Sequence, residues 1–156
     1  MKPQVSTKAR SADLRKGRVS LCGQTYLLTT ATWQRQAFFR DTLLGRSVVH
    51  ELRQAQRDGL VETLAFVVMP DHFHWLLTLR QGSLSALMMR VKRRSALAIN
   101  SALKRQGPVW QNGFHDHALR KEEDLAAIAR YIVANPLRAG LVAGVGEYPL
   151  WDAVWL

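Results

Sequence analysis

Apolar and polar positions change their period several times along the chain, and each change marks an element. Gln24 to Thr32 is rich in Tyr, Leu and Thr and predicts a first strand. Asp41 is placed to cap a helix running to about Arg57, with Leu44, Val48, Leu52 and Ala55 on its apolar face and Asp58-Gly59 at its end. Val61 to Met69 is apolar with few breaks and predicts a second strand. Pro70-Asp71 signals a turn, and residues 71–80 predict a third strand that pairs with the second as a hairpin. Ser83 can cap a second helix reaching about Lys104, with Leu84, Leu87, Met88, Val91, Ser95, Ala98 and Ala102 in one stripe. After the break at Gly107-Pro108, Val109 to Leu119 predicts a fourth strand or an irregular hairpin. A third helix spans about Glu122 to Asn135, with Glu122, Glu123 and Asp124 in its first turn and Leu125, Ile128, Ala129 and Ile132 on its apolar face. Pro136 interrupts it and opens a short further turn that stops at Gly140. Tyr148, Trp151 and Trp155 give the tail enough aromatic area to dock on the core. This order predicts an α+β fold: a ferredoxin-like antiparallel sheet (β-α-β-β-α-β) with helices on one face and an additional C-terminal helix carrying Tyr131.

With 156 residues, 47% of them hydrophobic, the chain can build one core, expected over residues 21–156. No apolar run is long enough to cross a bilayer, and no apolar signal region follows the basic N-terminus. Cys22 stands alone, which precludes an internal disulfide and points to a reducing cytoplasmic compartment; it reads as a small buried hydrophobe. The formal net charge of +10 favours an anionic partner, nucleic acid first and an acidic membrane surface second. That charge is concentrated. Residues 1–20, read as a flexible basic arm, carry six basic residues against Asp13 alone. Residues 83–105 carry Arg90, Lys92, Arg93, Arg94, Lys104 and Arg105 with no acid, so the second helix presents a basic stripe beside its apolar one. A stripe without acids repels itself unless it faces phosphates, which marks Arg90, Arg93 and Arg94 as candidate DNA contacts.

The candidate chemistry centres on Met69-Pro70-Asp71-His72-Phe73-His74-Trp75-Leu76-Leu77. On a strand, His72 and His74 share one face, with Cα atoms about 7 Å apart, while Phe73 and Trp75 point the other way. Such a pair can hold a divalent metal with open coordination positions. It can equally be one exposed and one packed imidazole. Tyr131 and Asn135, four apart on the third helix, stack at the edge of its apolar stripe beside the small Ala127. A core tyrosine with its hydroxyl at the rim, and an asparagine capping the next turn, would explain that pair without any chemistry. Taken with the histidines, the pair gains a chemical meaning. A phenol can attack a phosphodiester, and a metal held by His72, His74 and the Asn135 carbonyl oxygen would polarise the phosphate. Nitrogen ligands favour Mn²⁺, and Mg²⁺ is the abundant hard cation. His115-Asp116-His117 is a second alternating pair, read as a segment near the site or on DNA, with Trp110 and Phe114 available for stacking on bases or for ordinary edge packing. His50 reads as a surface residue.

His72-Phe73-His74 resembles the signature of the HUH single-strand endonucleases. Within them, VMPDHFHWLL, VWQNGFHDHALR and YIVANPLRAGLV resemble the REP-associated tyrosine transposases over roughly residues 20–150. The resemblance implies Tyr131 as catalytic nucleophile, His72, His74 and Asn135 as ligands of Mg²⁺ or Mn²⁺, and cleavage and rejoining of single-stranded DNA through a 5′-phosphotyrosine. It implies as substrate the REP palindrome, a short DNA hairpin with a flanking guide tetranucleotide. It leaves open a monomer or a homodimer. DNA contacts are expected from Arg90, Arg93, Arg94, Trp110, His117 and Arg138, at a cytoplasmic, nucleoid-associated location and without a membrane partner. Two other readings compete: a domesticated, non-catalytic hairpin-binding protein, and a metal-dependent phosphohydrolase that uses activated water.

Overall fold

The computed structural model describes residues 20–120 and 123–154. The basic arm, Glu122 and Trp155 therefore lie outside the described residues, Ser20 at the end of the arm excepted.

The sequence builds five antiparallel strands: β1 (Thr25–Ala31), β2 (Val61–Met69), β3 (His72–Leu79), β4 (His115–Ala118) and β5 (Trp151–Ala153). They form one sheet in the order β4-β1-β3-β2-β5. Helix α1 (Thr42–Arg57) connects β1 to β2, and α2 (Leu84–Leu103) connects β3 to β4. Helices α3 (Leu125–Val133) and α4 (Asn135–Arg138) follow β4. The caps are those the sequence suggests. Asp41 accepts from the Leu43 amide at 3.0 Å and Ser83 from the Ala86 amide at 3.1 Å. Asp124 accepts from the Ala127 amide at 3.1 Å, so it caps α3 and does not lie in its first turn.

Helices cover both faces of the sheet, where a single covered face was expected. Phe73, Trp75 and Leu77 of β3 point into a core closed by α1 and α2, with Val48, Leu52, Met88 and Val91 opposite. The other face carries His72 and His74 toward one end of β3. Further along, Leu76, Ala65 and Val67 meet Ala129, Ile132 and Val133 of α3. The pairing of β2 with β3 shifts between Thr63 and Ala65. Leu64 and Ala65 consequently both face α3, and the strand resumes with Val67 opposite His74. The tyrosine helix is thus seated against the histidine strand by apolar side chains of β2 and β3.

Three expectations are corrected. The fourth strand is only four residues long, because Trp110 leaves the sheet for the core. It keeps a single bridge to Thr32, and Gly113 turns the chain at φ 80° before β4 starts. Trp110 is 7% exposed, packs against Phe39 and Phe73 at 5.4 Å between ring centroids in each case, and donates its indole N–H to Ser95 Oγ at 3.0 Å. It is a core residue, its ring engaged by these contacts. Trp110→Ala is expected to lower unfolding free energy by about 3–5 kcal/mol in urea titration, whereas a surface stacking residue would cost less than about 0.5 kcal/mol. Second, Cys22 is exposed in the turn before β1, not buried. Third, the arginines of α2 are not an unpaired stripe. Arg90 is ion-paired with Asp58, and Arg94 lies 4.0 Å from Glu51, both acids being supplied by α1 and its C-cap. His50 is exposed, as expected.

The tail docks as its aromatic content suggests, but as a strand. β5 pairs with β2, Trp151 opposite Val67, and the Tyr148 hydroxyl donates to the Val68 carbonyl. Among the described residues no helix is long and apolar enough to cross a membrane.

Candidate active site

β3 delivers the two imidazoles side by side, their ring centroids 5.1 Å apart and nearly perpendicular. Each is held at Nδ1. Asp71 Oδ1 lies 2.7 Å from His72 Nδ1, and Thr29 Oγ1 lies 2.8 Å from His74 Nδ1. Asp71 is itself bonded by Arg35 Nε at 3.0 Å. Burial alone would raise the Asp71 carboxyl, but the His72 hydrogen bond and the Arg35 charge outweigh it and hold it below the usual range. An ionised Asp71 accepts a hydrogen bond from Nδ1–H and leaves the His72 Nε2 lone pair available. Neither Asp71 nor Thr29 was marked by sequence reasoning. Thr29 lies opposite His74 in the β1–β3 register, so only the strand pairing reveals it.

His74 is largely buried, and burial, followed by the charges of His72 and Arg138, pushes its pKa from 6.5 down to about 4. It is therefore neutral at neutral pH, as a ligating imidazole must be. The unfolded chain takes up this proton more readily than the folded one. Stability is thus full above pH 6.5 and falls toward pH 4, by up to about 3 kcal/mol. Denaturant titrations across that window measure the fall, and His74→Gln should flatten this part of the slope.

Opposite β3, α3 presents Tyr131 and Asn135. A cleft of about 540 Å³ between sheet and helix is lined by Thr29, His74, His117, Glu123, Tyr131 and Asn135, with Ala127 and apolar side chains between them. His72 does not line it and stands beside His74 at its end of the sheet. Tyr131 is 65% exposed. Of the other two tyrosines, Tyr26 is buried, and burial pushes the Tyr148 hydroxyl up to about 12. Asn135 makes no side-chain cap, so capping is not its role here. Its Oδ1 accepts from Arg138, which also donates to the Tyr131 carbonyl at 2.7 Å and lies 3.9 Å over the Tyr131 ring. Arg138 was expected as a phosphate contact; here it ties the tyrosine to the asparagine. His117 Nε2 lies 3.6 Å from Glu123. Arg90, Arg93, Arg94 and Trp110 are not in this cleft, since they belong to the opposite side of the sheet.

The donor set fits a divalent cation. Both imidazoles have Nδ1 engaged and Nε2 left over, and Asn135 adds a neutral oxygen once Arg138 yields it. Among the described residues no group of three or more His, Cys, Asp or Glu is arranged to hold a metal ion.

His74 and the exposed Tyr131 line one cleft, with His72 beside His74, and comparison with known proteins supplies the family for that arrangement. The family model described as "Transposase IS200 like" matches residues 20–135, and the chain belongs to that family. Within the family it is similar to a REP-associated tyrosine transposase of Escherichia coli (strain K12), 32% identical over 102 residues, 64% of this chain and 59% of that protein. A Haemophilus influenzae relative is 29% identical over 116 residues, 65% of this chain and 66% of its own. The chain thus matches about three fifths to two thirds of the length of these curated relatives. The solved structure of a REP-associated tyrosine transposase bound to a REP hairpin superposes with a TM-score of 0.69 at 26% identity, covering 86% of this chain and 79% of that one.

Proposed function

We propose that the protein is a metal-dependent endonuclease and strand transferase that acts on single-stranded DNA at REP-type hairpins. The observation that carries this reading is the cleft shared by Tyr131, Asn135 and His74. The Tyr131 oxygen forms a bond to phosphorus as the bond to the 3′ oxygen breaks, leaving a 5′-phosphotyrosine and a free 3′-hydroxyl. Rejoining reverses the step with a 3′-hydroxyl as nucleophile. His117, beside Glu123 in the same cleft, is available to take the phenolic proton. Arg138 keeps the ring in place by stacking and has N–H groups to spare for the phosphate. His72, His74 and Asn135 would hold Mg²⁺ or Mn²⁺, which when bound supplies polarisation of the scissile phosphate.

The similarity to a structure that holds a REP hairpin supports the choice of DNA, and the +10 charge suits it. The test is a denaturing gel of end-labelled hairpin DNA incubated with the protein and Mn²⁺. A denaturant-resistant shifted band is the expected product. Free cleaved DNA without an adduct would assign the attack to water, and retardation on native gels alone would leave a binding protein.

A further inference from the structure

Asn135 Oδ1 is claimed twice, by the arginine that clasps Tyr131 and by the metal the site is read to hold. We propose that Arg138 competes with the divalent cation for this one oxygen, so that it lowers the metal affinity of the site and frees an N–H for substrate when the ion binds; this rests on the metal-dependent reading above. Tyr131, Asn135 and Arg138 follow at spacings of four and three, which brings them to one face. Ala134, between α3 and α4, keeps a right-handed helical backbone, and the Arg138 amide donates to its carbonyl at 3.0 Å. The main chain of Arg138 is thereby fixed, and its long side chain turns back over α3. Nη1 donates to the Tyr131 carbonyl at 2.7 Å, the guanidinium carbon lies 3.9 Å from the centre of the Tyr131 ring, and Nη2 donates to Asn135 Oδ1.

A guanidinium only donates, so the amide atom it grips is the oxygen. A hard cation needs that same atom, because the amide nitrogen carries two N–H donors and offers it nothing. Charge makes the two claims antagonistic. A unit charge and a double charge drawn to one oxygen repel each other. No carboxylate stands by to neutralise the arginine: Arg138 has no ion pair among the described residues, whereas Arg35, Arg53, Arg80, Arg90 and Arg94 each lie within 4.0 Å of one.

The clasp opens without disturbing the fold. Arg138 is exposed, and only its side chain has to turn. The bond to the Tyr131 carbonyl and the stack on the ring do not involve Oδ1, so the tyrosine stays held while Nη2 lets go of the amide. The freed N–H then meets substrate phosphate only where the ion is in place, which couples the two cations that the phosphate needs. Exposure also bounds the effect. Solvent and salt screen a guanidinium at the surface, so the competition shifts metal affinity on the scale of about tenfold and not thousandfold. Arg138 is on this account a positioning residue for the metal ligand as well as for the nucleophile.

The test is Co²⁺ affinity by titration calorimetry, in protein without DNA. Co²⁺ binds nitrogen donors more tightly than Mn²⁺, so a site reduced to two imidazoles stays measurable. Arg138→Ala should bind Co²⁺ about tenfold more tightly than wild type. Arg138→Lys should gain less, because lysine keeps the charge but not the planar fork. The side chain is exposed, so neither change threatens folding. A double-mutant cycle with Asn135→Ala separates competition for Oδ1 from a general charge effect. In Asn135→Ala protein the further Arg138→Ala change should move affinity by less than about twofold. An equal gain with and without Asn135 would overturn the proposal, since any nearby positive charge would then explain it. Unchanged or weaker binding in Arg138→Ala would overturn it too, and reduce Arg138 to a brace for the ring. Wild-type protein that binds no Co²⁺ would sink the metal-dependent reading and this inference together. Binding is read here without cleavage, so the expected affinities in a protein that forms no adduct would sink the nuclease reading alone.

Discussion

Tyr131→Phe should reduce the covalent protein–DNA adduct by at least about 10⁴-fold, the scale on which single nucleophiles matter, and leave hairpin affinity within about threefold. The substitution removes one oxygen and little else. The hydroxyl carries no hydrogen bond among the described residues, and the ring is mostly solvent-exposed, so the fold should lose less than about 0.5 kcal/mol. Arg138 stacks on the ring and donates to the main-chain carbonyl of residue 131, both of which phenylalanine retains. The cleft therefore keeps its shape and charge while losing the proposed nucleophile. No other tyrosine can substitute: Tyr26 lies in the core, and the Tyr148 hydroxyl is engaged with the Val68 carbonyl. Adduct yield on denaturing gels and affinity by anisotropy measure the two halves of the prediction. An adduct that persists in the variant would assign the bond to a different residue.

The parts of this site that were legible in the sequence are those set by short-range geometry. Strand alternation places His72 and His74 on one face whatever surrounds them, and helical spacing places Asn135 one turn past Tyr131. Caps and chain breaks fixed α1 and α2 almost to the residue, because Asp41, Ser83 and Gly59 act on their own neighbours. What escaped was set by contacts distant in the chain. Arg94 finds Glu51 and Arg90 finds Asp58 only after two helices pack side by side, and a stripe that looked free of acids is half neutralised by them. Trp110 sits in a segment with strand composition, yet Phe39, Phe73 and Ser95 offer its large ring more burial and a hydrogen bond than the sheet edge could. β5 is three residues long, too short for any periodicity, and exists because β2 has an open edge to pair with. The inward fold of Arg138 likewise depends on α4 following α3 closely enough to bring its guanidinium back over the tyrosine.

His74→Ala carries the second large effect: metal-stimulated cleavage should fall to the level seen in wild-type protein treated with a chelator. The reason lies in how the side chain is held. His74 is more deeply enclosed than its exposed counterparts on β4, its Nδ1 is committed to Thr29, and its depressed pKa keeps it neutral across the working range, so its one remaining donor is Nε2. In the proposed donor set of His72, His74 and Asn135, whose amide oxygen is shared with Arg138, loss of an imidazole would leave too few donors to retain Mg²⁺ or Mn²⁺ against water. The supporting residues should give graded losses. Thr29→Val and Asp71→Asn remove the groups that orient the imidazoles without touching Nε2, and each should lower metal affinity by about 10–100-fold. Mn²⁺ titration followed by electron paramagnetic resonance reads this directly, independent of turnover. A His74→Ala protein that binds Mn²⁺ as tightly as the wild type would remove the paired imidazoles from the site and leave Tyr131 without its cation.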